Sequence, residues 1–548
     1  MNESGNYSKE PNGRHSRQNG VQPGLQPDEQ ELNIPIASRQ EPQDSSRRRM
    51  PPENRRQNAG RRGRDSSNLS TSMTPSEKSK RQHDHKKTFQ VIKWIFVVMV
   101  LSLVVWMGKI MVKDQPSIKA NEYNPANQTV EAQVTRGSIL GRNGEELAYT
   151  ETEEDGTERR VYPYGECLAH VVGYTGRGNA GLEAVENTTL TTAPSLLNQL
   201  ESWANDTKVQ GQSIKTTIDP DLQQYCYSLL GGYQGAVVIT DPTTGQTLAE
   251  VSAPSFDPSM LVDNWESISE RSDSPLYARA TQGLYAPGST FKIVTALAMY
   301  RNMPDYQDYY YTCNGVLELS NTTIACSGGE AHGTVGITDA FAYSCNGFFG
   351  SAGVKMGASA LRQTADYLNI GNDFGYELPQ STSQVVVKDN DSEGMVAQTA
   401  IGQGETLMTP FALNQLTCAI ANGGALYTPY LVDSVTDGNG AVVKQNLPKL
   451  WGTIMKPDEA AFEENLMAGV VQYGTAAYDG LASDSYTVYG KTGTAQVEGQ
   501  EDNSWFTCYT KVDGQPDLAV TVLVENAGDQ VRAASLTAQI LSYYYSTH

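Results

Sequence analysis

A serine and a lysine stand three positions apart where an apolar helix pattern begins, in the stretch YAPGSTFKIVTAL from Tyr285 to Leu297. Positions i and i+3 lie on one face of a helix, so the amine of Lys292 can reach the hydroxyl of Ser289. Burial against an apolar surface lowers the pKa of a lysine and makes a neutral amine available as a base. The pattern predicts that Ser289 is a nucleophile activated by Lys292.

The scarcity of histidine in the later part of the chain favours this interpretation. After residue 112 the chain contains only His170, His332 and His548, and no G-x-S-x-G sequence surrounds any serine. A Ser-His-Asp triad therefore has few candidate members. Taken alone, the pair also has a simpler explanation, in which Ser289 caps a helix and Lys292 extends its amine into solvent.

Two further motifs bear on that choice. S-C-N occupies residues 344–346, and K-T-G occupies residues 491–493 inside an apparent strand. S-x-N is weak by itself because it also occurs at Ser4 and Ser66, whereas S-x-x-K and K-T-G each occur once. The three motifs in this order are the set shared by penicillin-binding proteins and serine β-lactamases.

From Thr216 onward the chain resembles the transpeptidase domain of class B penicillin-binding proteins. The resemblance rests on TTIDPDLQ, GAVVITDPTTGQTLAEVSAPSFDP, SPLYARATQGLYAPGSTFKIVTA, AIGQGETLMTPFAL, YGKTGTAQ and SWF, and upstream on RGSILGRNGEELA and RVYPYGECLAHVVGYTG. It implies an α+β fold of the penicillin-binding/serine β-lactamase type, with an antiparallel sheet flanked by helices. It also implies a peptidoglycan D,D-transpeptidase that needs no cofactor and binds β-lactam antibiotics covalently.

The strand and helix patterns agree with that fold class. GAVVITDPTTGQTLAEVSAP predicts a hairpin, and YTVYGKTGTAQV, SWFTCYTKV and DLAVTVLVENAG predict three antiparallel strands near the C-terminus. A closing helix is predicted for ASLTAQILSYYYS. Strands at both ends of a region with helices between them indicate one sheet built from distant segments.

The resemblance implies a role for each residue of the first two motifs. Ser289 would attack the D-Ala-D-Ala carbonyl of a donor stem peptide and form an acyl-enzyme. Lys292 would accept the serine proton, and Ser344 would relay it towards the leaving amine. Asn346 would hold the donor's amide and the lysine. An amine of an acceptor stem peptide would then resolve the acyl-enzyme and form a crosslink.

The K-T-G motif would bind the substrate. By the same resemblance, Lys491 offers a positive charge and Thr492 a hydroxyl for the terminal carboxylate. Gly493 would keep the face of the strand clear for backbone pairing. The N–H groups of Ser289 and Thr494 would form an oxyanion hole.

Composition and charge divide the chain into four predicted parts. Residues 1–88 contain 17 Lys and Arg against 11 Asp and Glu and almost no large apolar side chains, which predicts a disordered, basic cytoplasmic tail with no nucleic-acid partner. Residues 89–112 predict a transmembrane helix, residues 113–208 a small pedestal-like spacer domain, and residues 209–548 the transpeptidase domain.

The predicted span, FQVIKWIFVVMVLSLVVWMGKIMV, has 24 residues. As a helix it would be about 36 Å long, against a hydrocarbon thickness of about 30 Å. Basic residues precede it, so the N-terminus is expected in the cytoplasm and the catalytic domain on the outer side of the cell membrane. The chain is thus predicted to be a single-pass membrane protein.

Two other classes of function are compatible with these residues. A D,D-carboxypeptidase or β-lactamase would use the same nucleophile with water as the acceptor. A membrane-anchored β-lactam sensor, or a scaffold in a wall-synthesis complex with a glycosyltransferase, would depend on contacts rather than on catalysis. The sequence does not choose between division, elongation and sporulation.

The seven cysteines predict no metal site, because neither C-x-x-C nor H-E-x-x-H occurs. Cys313 and Cys326 bracket a short segment and could close a loop, although the sequence does not determine whether they are bonded. Cys345, Cys418 and Cys508 lie in apolar patterns and are expected to be buried thiols.

Overall fold

The computed structural model describes residues 90–106, 134–192, 208–320 and 322–548. The predicted disordered tail, residues 1–88, lies outside the described residues, as do parts of the predicted span and spacer. The fold therefore concerns the region that carries the three motifs and the segment preceding it.

Strands and helices are numbered in chain order. The strands are β1 (Val134–Thr135), β2 (Ile139–Leu140), β3 (Glu146–Thr152), β4 (Glu158–Val161), β5 (Val209–Gln210), β6 (Ser213–Thr216), β7 (Gly235–Thr240), β8 (Thr247–Ala253), β9 (Tyr311–Cys313), β10 (Val316–Glu318), β11 (Thr323–Ala325), β12 (Gly333–Val335), β13 (Ala425–Tyr427), β14 (Val432–Thr436), β15 (Val442–Gln445), β16 (Leu450–Thr453), β17 (Thr487–Ala495), β18 (Asn503–Val512) and β19 (Gln515–Val524). The helices are α1 (90–106), α2 (Ala169–Val172), α3 (Gly181–Val185), α4 (Asn187–Leu190), α5 (Pro220–Leu229), α6 (Trp265–Ser269), α7 (Arg279–Gln282), α8 (Lys292–Asn302), α9 (Ile337–Ala342), α10 (Asn346–Met356), α11 (Ala358–Tyr367), α12 (Glu393–Ala400), α13 (Pro410–Ala421), α14 (Pro457–Gln472) and α15 (Ala533–Thr547).

Helix α1 falls within the predicted membrane span, residues 89–112, whose other residues lie outside the described part of the chain. Among the described residues, no helix combines the length and the hydropathy that crossing a membrane requires. The span therefore stays a prediction.

A five-stranded antiparallel sheet lies at the centre of the catalytic region, in the order β17-β18-β19-β7-β8. The predicted hairpin is β7–β8 and the three predicted C-terminal strands are β17–β19, so both predictions are confirmed. Strand β19 joins the two sets by pairing with β7, with Val522 opposite Val237. One sheet is thus built from the two ends of the region.

Helices cover this sheet on both faces. Strand β19 is buried along seven consecutive residues at its C-terminal end, which in a sheet means that neither face is open to water. All twelve residues of α13 are buried, as expected for a helix that is apolar on every side. The predicted closing helix is confirmed as α15. Strand β17, which carries K-T-G, remains at the edge of the sheet.

A second sheet has six strands in the order β15-β14-β6-β2-β3-β4. Strands β2 to β4 come from the predicted spacer, and the other three come from beyond residue 208. The pair β2–β6 is parallel and the other pairs are antiparallel. The two predicted regions therefore share one sheet, which their sequence patterns did not indicate.

Two short ribbons lie between α8 and the S-C-N segment. Strands β9 and β12 form one and strands β10 and β11 form the other, each with three paired residues per strand. Helix α9 follows them, and α10 begins at Asn346. This segment brings S-C-N next to the start of α8.

Candidate active site

The nucleophile turn, Gly288–Phe291, is a 3-10 turn that leads directly into α8 at Lys292. Gly288 has φ of 54° and lies so close to strand β17 that a Cβ there would be 2.4 Å from the carbonyl oxygen of Thr494. Only glycine accepts both conditions. The N–H of Gly288 donates to the carbonyl of Gly402 at 2.9 Å. The turn is therefore held from two sides, and Ser289 remains half-buried.

Strand β17 supports the nucleophile turn through a close contact at Gly493. A Cβ at Gly493 would lie 2.8 Å from Thr290 Cγ2 and 3.0 Å from the carbonyl oxygen of Pro287. The neighbouring strand adds a hydrogen bond, because Trp505 Nε1 donates to the carbonyl of Ala286 at 3.1 Å. The structure thus gives Gly493 a packing role against the turn, in addition to the substrate-facing role expected from the resemblance.

The amine of Lys292 lies at the centre of the site. Its Nζ is 2.9 Å from Ser289 Oγ, 3.1 Å from Ser344 Oγ, and 2.6 Å from both the Ser344 carbonyl oxygen and Asn346 Oδ1. The two shortest contacts are to oxygens that can only accept, so they take two N–H bonds of the amine. A neutral amine then has its lone pair available for the hydroxyl of Ser289.

Burial changes the protonation of this amine. Lys292 is fully buried, and the loss of hydration lowers its pKa to about 7, while charge interactions with Cys345 and Cys326 act in the opposite direction. The predicted proximity to Ser289 and the predicted lowering of the pKa both appear in the structure. A substantial fraction of Lys292 is thus neutral near pH 7.

Ser344 and Asn346 surround Lys292 from the start of α10. Asn346 directs its Oδ1 towards Lys292 because its Nδ2 donates to the carbonyl of Ala325 at 2.7 Å. Ser344 has φ of 59°, which is uncommon outside glycine. This conformation lets both its carbonyl and its hydroxyl face Lys292.

A second buried amine comes from strand β17. Lys491 Nζ is 3.1 Å from Ser344 Oγ and donates to the carbonyl of Thr492 at 3.0 Å. Burial, followed by repulsion from Lys292, lowers the pKa of Lys491. Thr494, further along the strand, is exposed. The hydroxyl of Ser344 therefore lies between two amines.

The eight residues chosen from the sequence lie at one site. Contacts join the two serines, two lysines and Asn346 directly, and the other three lie on strand β17 beside them: Ser289, Lys292, Ser344, Asn346, Lys491, Thr492, Gly493 and Thr494. The arrangement can deprotonate the hydroxyl of Ser289 and transfer a proton through the hydroxyl of Ser344. It can also bind an anion beside strand β17.

Sequence reasoning missed Thr475, in the connection between α14 and β17. Its Oγ1 lies 2.6 Å from Thr492 Oγ1. Its backbone is fixed by its own N–H, which donates to Ala342 at 3.0 Å, and by Arg532, which donates to its carbonyl at 2.7 Å. Asp479 in turn pairs with Arg532 at 2.8 Å. No local pattern marks Thr475, since its importance comes from partners distant in the chain.

The cysteines answer an open question from the sequence. All seven are unbonded, and Cys313 Sγ lies 3.6 Å from Cys326 Sγ. Cys345, Cys418 and Cys508 are buried, as predicted. Cys313, Cys326 and Cys345 gather with His332 directly behind the S-C-N segment. These four side chains are the described ones that could hold a metal ion.

Two protein-family models together match most of the described chain. Residues 235–542 match the model described as the penicillin binding protein transpeptidase domain. Residues 136–214 match the model described as the penicillin binding protein A dimerisation domain. The first match includes all three motifs, and the second includes strands β2 to β5.

Individual proteins agree with the family models. Peptidoglycan D,D-transpeptidase PbpA of Mycolicibacterium smegmatis is 31% identical over 445 residues, covering 75% of this chain and 88% of the relative. Peptidoglycan D,D-transpeptidase MrdA of Haemophilus influenzae is 29% identical, covering 76% and 73%. The imipenem acyl-enzyme complex of penicillin-binding protein A from M. tuberculosis is 29% identical, with a TM-score of 0.69, covering 75% of this chain and 99% of that one.

We predict that Gly493→Ala destabilises the protein, because the added Cβ would overlap Thr290 in the nucleophile turn and the carbonyl of Pro287 directly before it. Overpacking of this kind costs about 1–3 kcal/mol. Gly452→Ala is the matched control, since a Cβ there meets nothing within 4 Å. Thermal unfolding of the purified proteins measures the difference, and equal melting temperatures for the two variants would contradict the packing role.

Proposed function

The chain belongs to the class B penicillin-binding proteins, and from this premise we propose that Ser289 is the nucleophile with which it crosslinks peptidoglycan as a D,D-transpeptidase. The observation that carries the assignment is the 2.9 Å contact between Ser289 Oγ and the buried amine of Lys292. The same serine is the expected attachment point for penicillin.

Acylation begins with proton transfer within that contact. Neutral Lys292 accepts the proton of Ser289, and Ser289 Oγ forms a bond to the carbonyl carbon of the penultimate D-Ala. The C–N bond to the last D-Ala then breaks, and its nitrogen receives a proton through Ser344, whose hydroxyl contacts Lys292 at 3.1 Å. The products are an ester on Ser289 and free D-Ala.

Strand β17 is proposed to bind the donor peptide. Lys491 and the hydroxyl of Thr492 would hold the terminal carboxylate, whose negative charge raises the pKa of Lys491 again and restores its positive charge. The N–H groups of Ser289 and Thr494 would stabilise the oxyanion, and removal of one such donor costs a serine protease about 2.7–4 kcal/mol. Asn346 would hold the donor's amide.

The second half of the reaction needs an acceptor amine. The amine of a second stem peptide attacks the ester on Ser289, forms an amide crosslink and releases the serine. Water in place of the amine would give D,D-carboxypeptidase activity. A β-lactam presents a strained amide and a carboxylate in corresponding positions, so its ring-opened form remains bound to Ser289.

The proposed location is the outer face of the cell membrane. It is supported by the apolar stretch at residues 89–112 and by the basic residues that precede it. Stem peptides lie outside that membrane, so the catalytic domain must lie there to reach them. A glycosyltransferase that polymerises the glycan strands is the proposed partner in a wall-synthesis complex.

The central test identifies the acylated residue. The full chain in detergent is treated with penicillin, digested and mapped by mass spectrometry, and we expect the adduct on Ser289. Ser289→Ala should abolish the adduct and the crosslinking of lipid-linked peptidoglycan, whereas Ser267→Ala, on the protein surface, should leave both unchanged. An adduct on another residue, or one that persists in Ser289→Ala, would refute the assignment.

A second measurement separates transpeptidase from β-lactamase activity. A fluorescent penicillin bound to the chain should stay attached through gel electrophoresis, because deacylation by water is slow when the natural acceptor is an amine. Rapid loss of the label with hydrolysis of many penicillin molecules per chain would favour the β-lactamase alternative.

The lowered pKa of Lys292 predicts the pH dependence of acylation. Below about pH 7 the amine is protonated and has no lone pair for the serine proton, so the second-order acylation rate should rise with pH to a plateau, with a midpoint near 7. Stopped-flow measurement with a fluorescent penicillin provides the profile. A rate that is flat between about pH 5.5 and 8.5 would exclude Lys292 as the base.

Thr475 is predicted to position Thr492 for carboxylate binding. Thr475→Val removes the 2.6 Å hydroxyl contact with nearly the same volume. Loss of one hydrogen bond should weaken the initial binding of penicillin roughly 3- to 10-fold and leave the acylation rate constant within the complex nearly unchanged. Thr475→Ser should restore binding. Equal loss in both variants, or an effect confined to the acylation step, would contradict this role.

A further inference from the structure

Two exposed tyrosines lie at the end of the active site where the terminal carboxylate is proposed to bind. Tyr343 directly precedes Ser344, and Tyr473 comes two residues before Thr475, whose hydroxyl contacts Thr492. Their exposed fractions are 42% and 41%, so a large part of each ring faces solvent. The acylation chemistry uses neither residue.

The two helices that carry these tyrosines meet at their C-terminal ends. Helix α9 ends at Ala342, directly before Tyr343, and α14 ends directly before Tyr473. The N–H of Thr475 donates to the carbonyl of Ala342 at 3.0 Å, and a Cβ at Gly474 would lie 2.3 Å from the same oxygen. The close approach of the two helix ends therefore fixes the backbone that carries both tyrosines.

The two rings also contact each other. Their centroids lie 5.9 Å apart at 69°, an edge-to-face arrangement that aromatic pairs favour. The hydroxyl of Tyr473 donates to Asp339 Oδ1 at 3.3 Å. Gly469 leaves room for that hydroxyl, since a Cβ there would lie 3.1 Å from it. The pair is thus ordered before any ligand binds, which lowers the entropic cost of binding.

The surface beside these rings carries a negative charge. Asp339 is exposed and lies at the hydroxyl end of Tyr473. The faces of aromatic rings are electron-rich, and they attract cations. Two tyrosine faces and a carboxylate therefore suit an ammonium group as their ligand.

The chemistry of crosslinking determines which substrate reaches this end of the site. Acylation breaks the C–N bond to the last D-Ala, whose carboxylate is proposed to lie at Lys491 and Thr492. Crosslinking forms a new C–N bond at the same carbonyl carbon, so the acceptor amine takes the position that the leaving nitrogen vacates. The acceptor stem peptide therefore enters from the side of Thr492, which Tyr343 and Tyr473 border.

The acceptor carries the kind of group that this border attracts. Side-chain amines have pKa values near 10.4, so they are ammonium ions in solution at neutral pH. An ammonium ion is attracted to the face of a tyrosine ring within about 6 Å of the ring centroid, and a nearby carboxylate strengthens the attraction. Water is neutral, so the border favours the amine over water as the acceptor.

We propose that Tyr343, Tyr473 and Asp339 form an acceptor subsite, which binds the amine-bearing side chain of a second stem peptide and so favours crosslinking over hydrolysis. The inference rests on the proposed function and gives the second substrate its place at the same site. Acylation by the first substrate needs neither tyrosine. Loss of the subsite should therefore leave acylation intact.

Amide formation then uses the residues that act in acylation. The bound ammonium releases one proton to solvent, and its neutral nitrogen forms a bond to the ester carbon on Ser289. The ester C–O bond breaks, and the surplus proton of the nitrogen passes through Ser344 and Lys292 to Ser289 Oγ. The products are an amide crosslink and the free hydroxyl of Ser289.

Partitioning of the acyl-enzyme provides the test. The full chain in detergent receives a peptide donor that ends in D-Ala-D-Ala, together with a tripeptide whose third residue, a lysine, supplies a side-chain amine. Mass spectrometry over a range of tripeptide concentrations gives the ratio of crosslinked to hydrolysed product. Tyr343→Ala and Tyr473→Ala should each lower this ratio about 3-fold, and the double variant should lower it about 10-fold.

Conservative variants separate acceptor binding from effects on folding. Tyr343→Phe keeps the ring and should keep the wild-type ratio. Asp339→Asn keeps an oxygen for the hydroxyl of Tyr473 but removes the charge, so the ratio should fall and should depend less on added salt. Tyr277→Ala removes a tyrosine of similar exposure, 40%, between α6 and α7, and should leave the ratio unchanged.

Penicillin acylation of Ser289 distinguishes failure of the subsite from failure of the proposed function. Acylation needs no acceptor, so its rate should stay at the wild-type value in Tyr343→Ala and Tyr473→Ala. An unchanged product ratio in the double variant would overturn the subsite, and so would a parallel loss of acylation and crosslinking. Absence of the adduct from wild-type protein would instead refute Ser289 as the nucleophile.

Discussion

The catalytic site depends on one physical requirement: the amine of Lys292 must be buried and must lose its proton readily near neutral pH. Lys292 is fully enclosed, and its pKa falls from 10.5 to about 7. That difference corresponds to roughly 5 kcal/mol, which opposes folding near neutral pH because the unfolded chain would keep the proton. The stability of the surrounding core must offset this cost. Catalysis without histidine therefore requires a large, well-packed domain around two residues.

The fold meets the constraint by fixing the amine's neighbours from separate parts of the chain. The sheet holds the nucleophile turn through Gly493, and the carbonyl of Gly402 holds it from the other side by accepting from Gly288. Trp505 fixes the residue Ala286, just before the turn. Asn346 and Ser344 then take the N–H bonds of Lys292. With these two N–H bonds taken, the lone pair of the neutral amine is left for the hydroxyl of Ser289.

The two sides of the site are supported by different means. On one side Arg532, Asp479 and Thr475 form a chain of polar contacts that ends at Thr492, where the substrate carboxylate is proposed to bind. On the other side, two short ribbons support S-C-N, and their buried residues Leu317, Ile324 and Val335 belong to the main hydrophobic core. One side of the site thus relies on polar contacts and the other mainly on apolar packing.

Local patterns in the sequence were sufficient for much of this protein. The spacing of Ser289 and Lys292, the β7–β8 hairpin, strands β17–β19 and helix α15 all follow from short-range periodicity and turn residues. These features depend on residues within a few positions of one another, which a linear sequence displays directly. The eight chosen residues form one site for the same reason, since each motif is local and the family resemblance joins them.

Only the tertiary structure decided what depends on contacts between distant segments. The pairing of β19 with β7, the sheet shared across residue 208, the packing of Gly493 on the nucleophile turn, and the contact of Thr475 with Thr492 each join residues far apart in the chain. The cluster of three cysteines and His332 belongs to the same class. Periodicity indicates which face of an element is buried, but the partner on that face is selected by packing of the whole domain.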